Sequence, residues 1–79
     1  MRICTTPYGQ TYVGYSDLMT IQEWETYLEN GTSPVPARVK ALGGQKYKGK
    51  KYGTGFTFPR ETETSLEKKA KEMFPQLFE

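Results

Sequence analysis

The sequence predicts a single small α+β domain, with antiparallel β-hairpins and two amphipathic helices. Two observations support this fold class. Short stretches of β-branched and aromatic residues flank a Pro-Gly turn near the start of the chain. Two later stretches combine helix-capping residues with apolar residues at helical spacing. A chain of 79 residues forms one thin core, so we expect one compact domain over residues 1–79, in the order ββ-α-βββ-α.

The N-terminal part predicts a β-hairpin followed by a helix. Residues 2–6 and 11–15 favour strands, and residues 7–10 (PYGQ) favour the turn between them. Thr20 and Glu23 have the spacing of a capping box, in which each side chain accepts a hydrogen bond from the other's backbone N–H. Gly31 is expected to end this helix. The apolar stripe of the helix comprises Ile21, Trp24 and Leu28, with Tyr27 beside them.

The stretch from 34 to 42 (PVPARVKAL) fits two structures. As a strand, its valines and alanines point to one side while Arg38 and Lys40 point to the other. As a helix, it is capped by Ser33 and ended by Gly43. We favour the strand. If the segment is helical instead, the domain is a winged-helix-like variant of the same α+β class.

The segment 43–59 predicts extended structure that turns near residues 48–49 and runs to Phe58. In the last strand, the two-residue alternation puts Tyr52 on the same face as Phe56 and Phe58. These two phenylalanines are the expected core residues of the region.

The C-terminal segment predicts a second helix. Thr64 and Glu67 repeat the capping-box spacing. Pro75 is expected to break or kink this helix near Met73, and the last turn then docks on the core. The apolar stripe comprises Leu66, Ala70, Met73, Phe74 and Leu77.

The composition argues against an enzyme. The chain has no histidine, which excludes His-based triads and His–metal sites, and its one cysteine cannot form a zinc site. We therefore expect no catalytic residue, metal, cofactor or small-molecule substrate. The lone Cys4 forms no internal disulfide, and no apolar run approaches the ~18 residues of a membrane span. A cytoplasmic protein without membrane contact is the expectation.

Charge is segregated along the chain. All four charged residues between Ile3 and Asn30 are acidic, whereas all seven between Gly31 and Arg60 are basic. Such asymmetry favours an anionic partner for the basic part. The acidic residues of the first part are Asp17, Glu23, Glu25 and Glu29.

The basic part predicts a non-enzymatic nucleic-acid-binding module for DNA or RNA, in which residues 38–51 contact phosphates. Lysines neutralise phosphate charge, and an interleaved aromatic ring can stack on a base. The competing interpretation is that the tyrosines pack while the lysines are merely solvated. The predicted contacts are Arg38, Lys40, Lys46, Lys48, Lys50 and Lys51, with Tyr47 or Tyr52 as the stacking residue.

Two short matches concern RNA. The segment GTGFTF resembles part of the RNA-recognition-motif signature. The order of helix, three extended pieces and helix from Thr20 onward, together with the basic KKAK of the last helix, resembles a double-stranded-RNA-binding domain. Both resemblances imply that the basic middle segment faces nucleic acid.

Two layouts concern DNA. If residues 34–42 are helical, the chain from MTIQEW to FTFP is similar in layout to the winged-helix domains of phage excisionases. Residues 45–56 are then the wing, beside a recognition helix bearing Arg38 and Lys40. If residues 34–42 form a strand, the layout resembles the three-stranded arm-binding modules of phage integrases.

A protein-binding role is the alternative. In it, the chain is a phage-type inhibitor or adaptor, for instance an anti-CRISPR-like antagonist, that covers a surface of a host protein or nucleoprotein complex. Tyrosines contribute large contact areas in interfaces, and the candidates are Tyr8, Tyr12 and Tyr15, although some of these rings are also expected in the core. A structural accessory subunit is a third hypothesis.

Overall fold

The fold combines a four-stranded antiparallel sheet with three helices, within the residues that this computed structural model describes, 1–47 and 54–79. It is a small compact α+β domain, as the sequence predicted. A short 3-10 helix precedes α1, and another, Pro75–Phe78, follows α3. The bounds are β1 Ile3–Thr5, β2 Thr11–Gly14, α1 Ile21–Asn30, α2 Val35–Leu42, β3 Gln45–Lys46, β4 Gly55–Thr57 and α3 Glu63–Met73.

The sheet has the strand order β1-β2-β4-β3. Its first two strands confirm the predicted N-terminal hairpin. The register sets Val13 opposite both Ile3 and Phe56, and Phe56 opposite Lys46. Since paired residues share a face, these four side chains lie on one side of the sheet. The prediction that Phe56 and Phe58 belong to the core is confirmed, because Phe58 is fully buried and Phe56 packs against the core.

Helix α1 begins and ends as predicted. The backbone N–H of Glu23 donates to Thr20 Oγ1 (3.2 Å), and the backbone N–H of Thr20 donates to Glu23 Oε1 (2.8 Å). Gly31 ends the helix with φ +75°. The capping box satisfies two N–H groups that a helix start otherwise leaves unpaired.

Residues 35–42 are helical, so the strand favoured for this segment is wrong. The buried side chains Val35, Val39 and Leu42 recur at helical spacing, and Gly43 ends the helix with φ +80°, a backbone that glycine adopts without strain. The Val35 N–H donates to Ser33 Oγ at 3.2 Å. The integrase-type and double-stranded-RNA-binding layouts both need a strand here, so neither applies.

Helix α3 starts two residues earlier than the predicted capping box allows. Its cap is Thr62, whose Oγ1 accepts from the Ser65 N–H (3.1 Å), while Ser65 Oγ accepts from the Thr62 N–H (2.9 Å). The predicted Thr64–Glu67 box is therefore wrong. The predicted break before Pro75 is confirmed.

The core lies between one face of the sheet and helices α2 and α3. Leu77 of the C-terminal 3-10 helix is also buried. Among residues 1–47 and 54–79, no helix is long and apolar enough to cross a membrane. The core cluster comprises Val13, Leu18, Met19, Val35, Val39, Leu42, Phe58, Leu66 and Ala70.

Candidate interaction surfaces

The basic segment lies partly within the described residues. Lys40, on the last turn of α2, and Lys46, on edge strand β3, are exposed to solvent. Tyr47 is half-buried, and its ring meets the ring of Tyr12 edge-on, with 5.1 Å between centroids. The other predicted contacts and the predicted turn at 48–49 lie outside the described residues: Lys48, Lys50, Lys51 and Tyr52.

Arg38 holds elements of the fold together. Its guanidinium pairs with both carboxylate oxygens of Glu23, at 2.8 Å and 2.6 Å, and donates to the Leu18 carbonyl at 2.7 Å. Its Cζ also lies 5.5 Å from the ring centroid of Phe74. With only 8% of its side chain exposed, Arg38 is committed to these partners, so we no longer include it among the predicted phosphate contacts.

Glu23 connects this cluster to the start of α1. One of its oxygens accepts from both the Thr20 backbone and the Arg38 side chain. The hydrogen bonds from Arg38 lower the pKa of Glu23 below its ordinary value, and they outweigh partial burial, which acts in the opposite direction. One carboxylate therefore links the cap of α1 to the middle of α2.

The three tyrosines proposed for a protein interface lie in different environments. Tyr8 is at the tip of the β1–β2 turn and is 87% exposed. Tyr12 is buried, its hydroxyl donates to the Thr54 carbonyl at 3.3 Å, and burial raises its pKa. Tyr15 is half-buried and bonds to Ser33 Oγ at 2.7 Å. Tyr12 and Tyr15 line one pocket and Tyr8 is not part of that lining, so the three do not form a single surface. The buried ring of Tyr12 serves mainly in packing.

The ring of Tyr12 lies directly over Gly55. A Cβ atom built on Gly55 would stand 2.4–2.6 Å from the Tyr12 ring and hydroxyl, closer than any real contact. Glycine is therefore required for this packing across β2 and β4.

The apolar stripe of α1 faces solvent. Helix α1 has no fully buried residue, and Ile21, Leu28 and Trp24 are 79%, 66% and 37% exposed. An apolar stripe at helical spacing ordinarily marks the side of a helix that packs on the core. We call these three residues the α1 stripe. The spacing of these residues in the sequence predicts the stripe, but no feature of the sequence indicates that the stripe is exposed.

An aromatic pocket of about 500 Å³ opens beside the α1 stripe. The rings of Tyr15, Tyr27 and Trp24 form one wall, with centroids 5.8 Å apart between the two tyrosines and 5.7 Å between Trp24 and Tyr27. Asp17 contributes a carboxylate to the lining. An aromatic wall beside an acid suits a cationic group.

Comparisons with protein-family models, curated proteins and solved structures found no match. The surfaces described above are therefore the basis for assigning a function. Within the described residues, no cluster of histidine, cysteine, aspartate or glutamate side chains is arranged to hold a metal ion.

Proposed function

We propose that the protein is a non-enzymatic nucleic-acid-binding module with a winged-helix-like layout. The observation that carries this proposal is the helical structure of residues 35–42, followed directly by the antiparallel pair β3–β4. Helix α2 then corresponds to a recognition helix and residues 45–56 to a wing, as the excisionase-like layout implies. The connection between β3 and β4 carries three lysines in sequence.

Charge supports the same proposal. Since no acidic residue occurs from Gly31 to Arg60, no carboxylate within α2 or the β3–β4 segment opposes the approach of phosphate. The solvent side of α2 carries small residues and Lys40, so a nucleic-acid backbone can come close to the helix. The proposed phosphate contacts are Lys40, Lys46, Lys48, Lys50 and Lys51, with Tyr47 or Tyr52 as the stacking residue.

Fluorescence anisotropy with labelled duplex DNA, single-stranded DNA and duplex RNA, over a range of salt concentrations, tests this function. If five residues contact phosphates of duplex DNA, the logarithm of the association constant should fall with the logarithm of the salt concentration. The expected slope is about −4.5, at about −0.9 per contact. Binding that does not depend on salt would contradict the proposal.

Two triple variants separate a specific surface from general attraction. Replacing Lys48, Lys50 and Lys51 with alanine should flatten the slope on duplex DNA by about 2.7. Replacing Lys68, Lys69 and Lys71 on α3 removes the same charge and should leave the slope nearly unchanged. Equal effects of the two variants would mean that only net charge matters.

A protein-binding adaptor or inhibitor is the second candidate, and the exposure of the α1 stripe favours it. Contiguous exposed apolar residues on a soluble domain commonly mark a protein interface. In this role the chain covers a surface of a host protein or nucleoprotein complex, as an anti-CRISPR-like antagonist does. Either function operates in the cytoplasm, where Cys4 remains a thiol.

A pull-down from nuclease-treated lysate at physiological salt tests the second candidate. Recovery of one protein by the wild type and not by a Leu28→Glu variant supports it, provided that added duplex DNA does not compete. Equal recovery by both proteins would contradict it.

A further inference from the structure

The α1 stripe requires a physical explanation, because exposed isoleucine and leucine do not stabilise the isolated chain. A ten-residue helix is marginal in water without packing of its apolar face. Here the capping box, the Glu23–Arg38 pair and the packing of Tyr27 against the core hold α1 in place, so the stripe remains free to pack against something else. Apolar residues at i, i+3 and i+7 are the usual anchors when a helix docks on a partner.

Among the described residues of α1 and the pocket lining, the charged groups that make no ion pair are all acidic. Glu25 and Glu29 are exposed on α1, and Asp17 lines the aromatic pocket. Across residues 1–47 and 54–79, none of these three carboxylates makes an ion pair, whereas Glu23 is already paired with Arg38. The free acidic groups therefore suit a partner that brings positive charge.

The aromatic pocket provides a place for one of those charges. Trp24 belongs both to the stripe and to the pocket wall, so a single partner segment can contact both. A guanidinium or ammonium group over the face of a tryptophan ring is attracted by the ring electrons, and a nearby carboxylate adds to this attraction. The three rings and Asp17 supply these two features together.

The same charges disfavour two other occupants. Packing α1 against α1 of a second copy brings acidic residues of the two chains together, which is repulsive. Helices that lie on membranes carry lysine and arginine on their polar side, whereas α1 carries glutamates. A basic segment of another protein has neither difficulty.

We propose that α1 and the aromatic pocket together bind a basic amphipathic segment of a partner protein, whose apolar side chains cover the α1 stripe and whose arginine or lysine enters the pocket. This deepens the second function above by naming the chemistry of its partner. It does not depend on nucleic-acid binding, which uses the lysines between residues 40 and 51.

Trp24 is the only tryptophan, so its fluorescence reports directly on this site. The probes are two synthetic amphipathic helical peptides, one with leucine and arginine faces and one with glutamate in place of every arginine. The arginine peptide should change the Trp24 emission saturably, and the glutamate peptide should not. Because the whole chain has a net charge of +2, attraction to net charge alone predicts the opposite preference.

Leu28→Glu should lower the affinity for the arginine peptide by at least about tenfold, which is the loss expected when one anchor of an interface is removed. Met73→Glu is the matched control, since it makes the same kind of change at an exposed apolar residue on α3 and should have little effect. Circular dichroism of both variants checks that they fold.

Several results overturn the proposal. These are equal responses to the two peptides, no saturable response, or unchanged binding by Leu28→Glu. Self-association in sedimentation that Leu28→Glu abolishes would identify a second copy as the occupant, and a Trp24 response to anionic vesicles but not to peptide would identify a lipid surface. If the pull-down depends on Leu28 while the peptides fail, the protein-binding function stands and the partner chemistry is wrong.

Discussion

Replacing Glu23 with glutamine should destabilise the folded chain by about 2 kcal/mol at neutral pH. Glutamine keeps the shape of the side chain but loses the charge that accepts two hydrogen bonds from Arg38. Hydrogen bonds to charged groups contribute about 1.5–3 kcal/mol. The 29% exposure of the Glu23 side chain reduces this figure through solvent screening, whereas the burial of Arg38 raises the penalty for leaving it unpaired.

The pH dependence of this variant has a definite sign. Because Arg38 lowers the pKa of Glu23 in the folded state, the pair contributes its full stability above the ordinary pKa that Glu23 has in the unfolded chain. The contribution is lost as the pH falls through the folded-state value. The difference between wild type and Glu23→Gln should therefore shrink at acidic pH.

Thermal and urea denaturation followed by circular dichroism measure both effects. A loss of 2 kcal/mol lowers the Tm of a domain this small by roughly 10 °C. Glu25→Gln is the matched control, because it removes the same charge from an exposed position on the same helix. The reasoning is refuted if the two variants are equally stable, or if the Glu23→Gln deficit stays constant down to strongly acidic pH.

Three other substitutions test the packing and capping, each by urea denaturation. Gly55→Ala should destabilise by about 1–3 kcal/mol, because its Cβ collides with the Tyr12 ring, and should do less harm in a Tyr12→Thr background. Thr62→Ala should remove about 1 kcal/mol, whereas Thr64→Ala should change less than about 0.5 kcal/mol, since Thr62 is the cap. Leu77→Ala should remove about 2–4 kcal/mol, because this residue anchors the C-terminal 3-10 helix in the core. An unchanged free energy of unfolding in the Leu77→Ala variant would contradict that anchoring.

Local signals in the sequence were sufficient for much of the fold. The hairpin turn, the Thr20–Glu23 capping box and the break before Pro75 each depend on neighbouring residues, so short-range chemistry determines them. The cap of α3 was misplaced because Thr62 and Thr64 are both acceptable caps. The cap in the structure pairs Thr62 with Ser65 at the third helical position, where the usual signature has Glu or Gln, so the Thr64–Glu67 spacing was the more conspicuous signal.

The conformation of residues 34–42 could not be read from spacing alone. Its apolar residues satisfy a two-residue alternation as well as a helical one, so the tertiary partners decide the matter. The helix buries Arg38 together with Val35 and Val39, and the partner that makes this burial acceptable, Glu23, lies fifteen positions earlier. A basic residue of this kind looks identical in sequence to an exposed phosphate contact.

For the candidate surfaces, too, local sequence signals were informative and properties set by tertiary packing were not predictable. The sequence identified the segregation of charge and the apolar residues of α1, but exposure is a property of the assembled chain. The α1 stripe follows the pattern of a core-facing helix, and only the placement of α1 outside the core distinguishes it. Lys40 and Lys46 keep the exposure that their predicted role requires, and that role stays a prediction.

The polar attachment of α1 has a consequence for how the chain opens. Tyr27 is the one α1 side chain that packs on the core, so separation of the helix exposes less apolar surface than separation of α2 or α3, and the denaturant dependence of an opening event scales with that surface. The backbone amide hydrogens of α1 are thus expected to exchange with solvent through a local opening that urea hardly accelerates. Those of α3 are expected to exchange only through global unfolding. In this view α1 is a distinct, low-stability unit that a bound partner would rigidify.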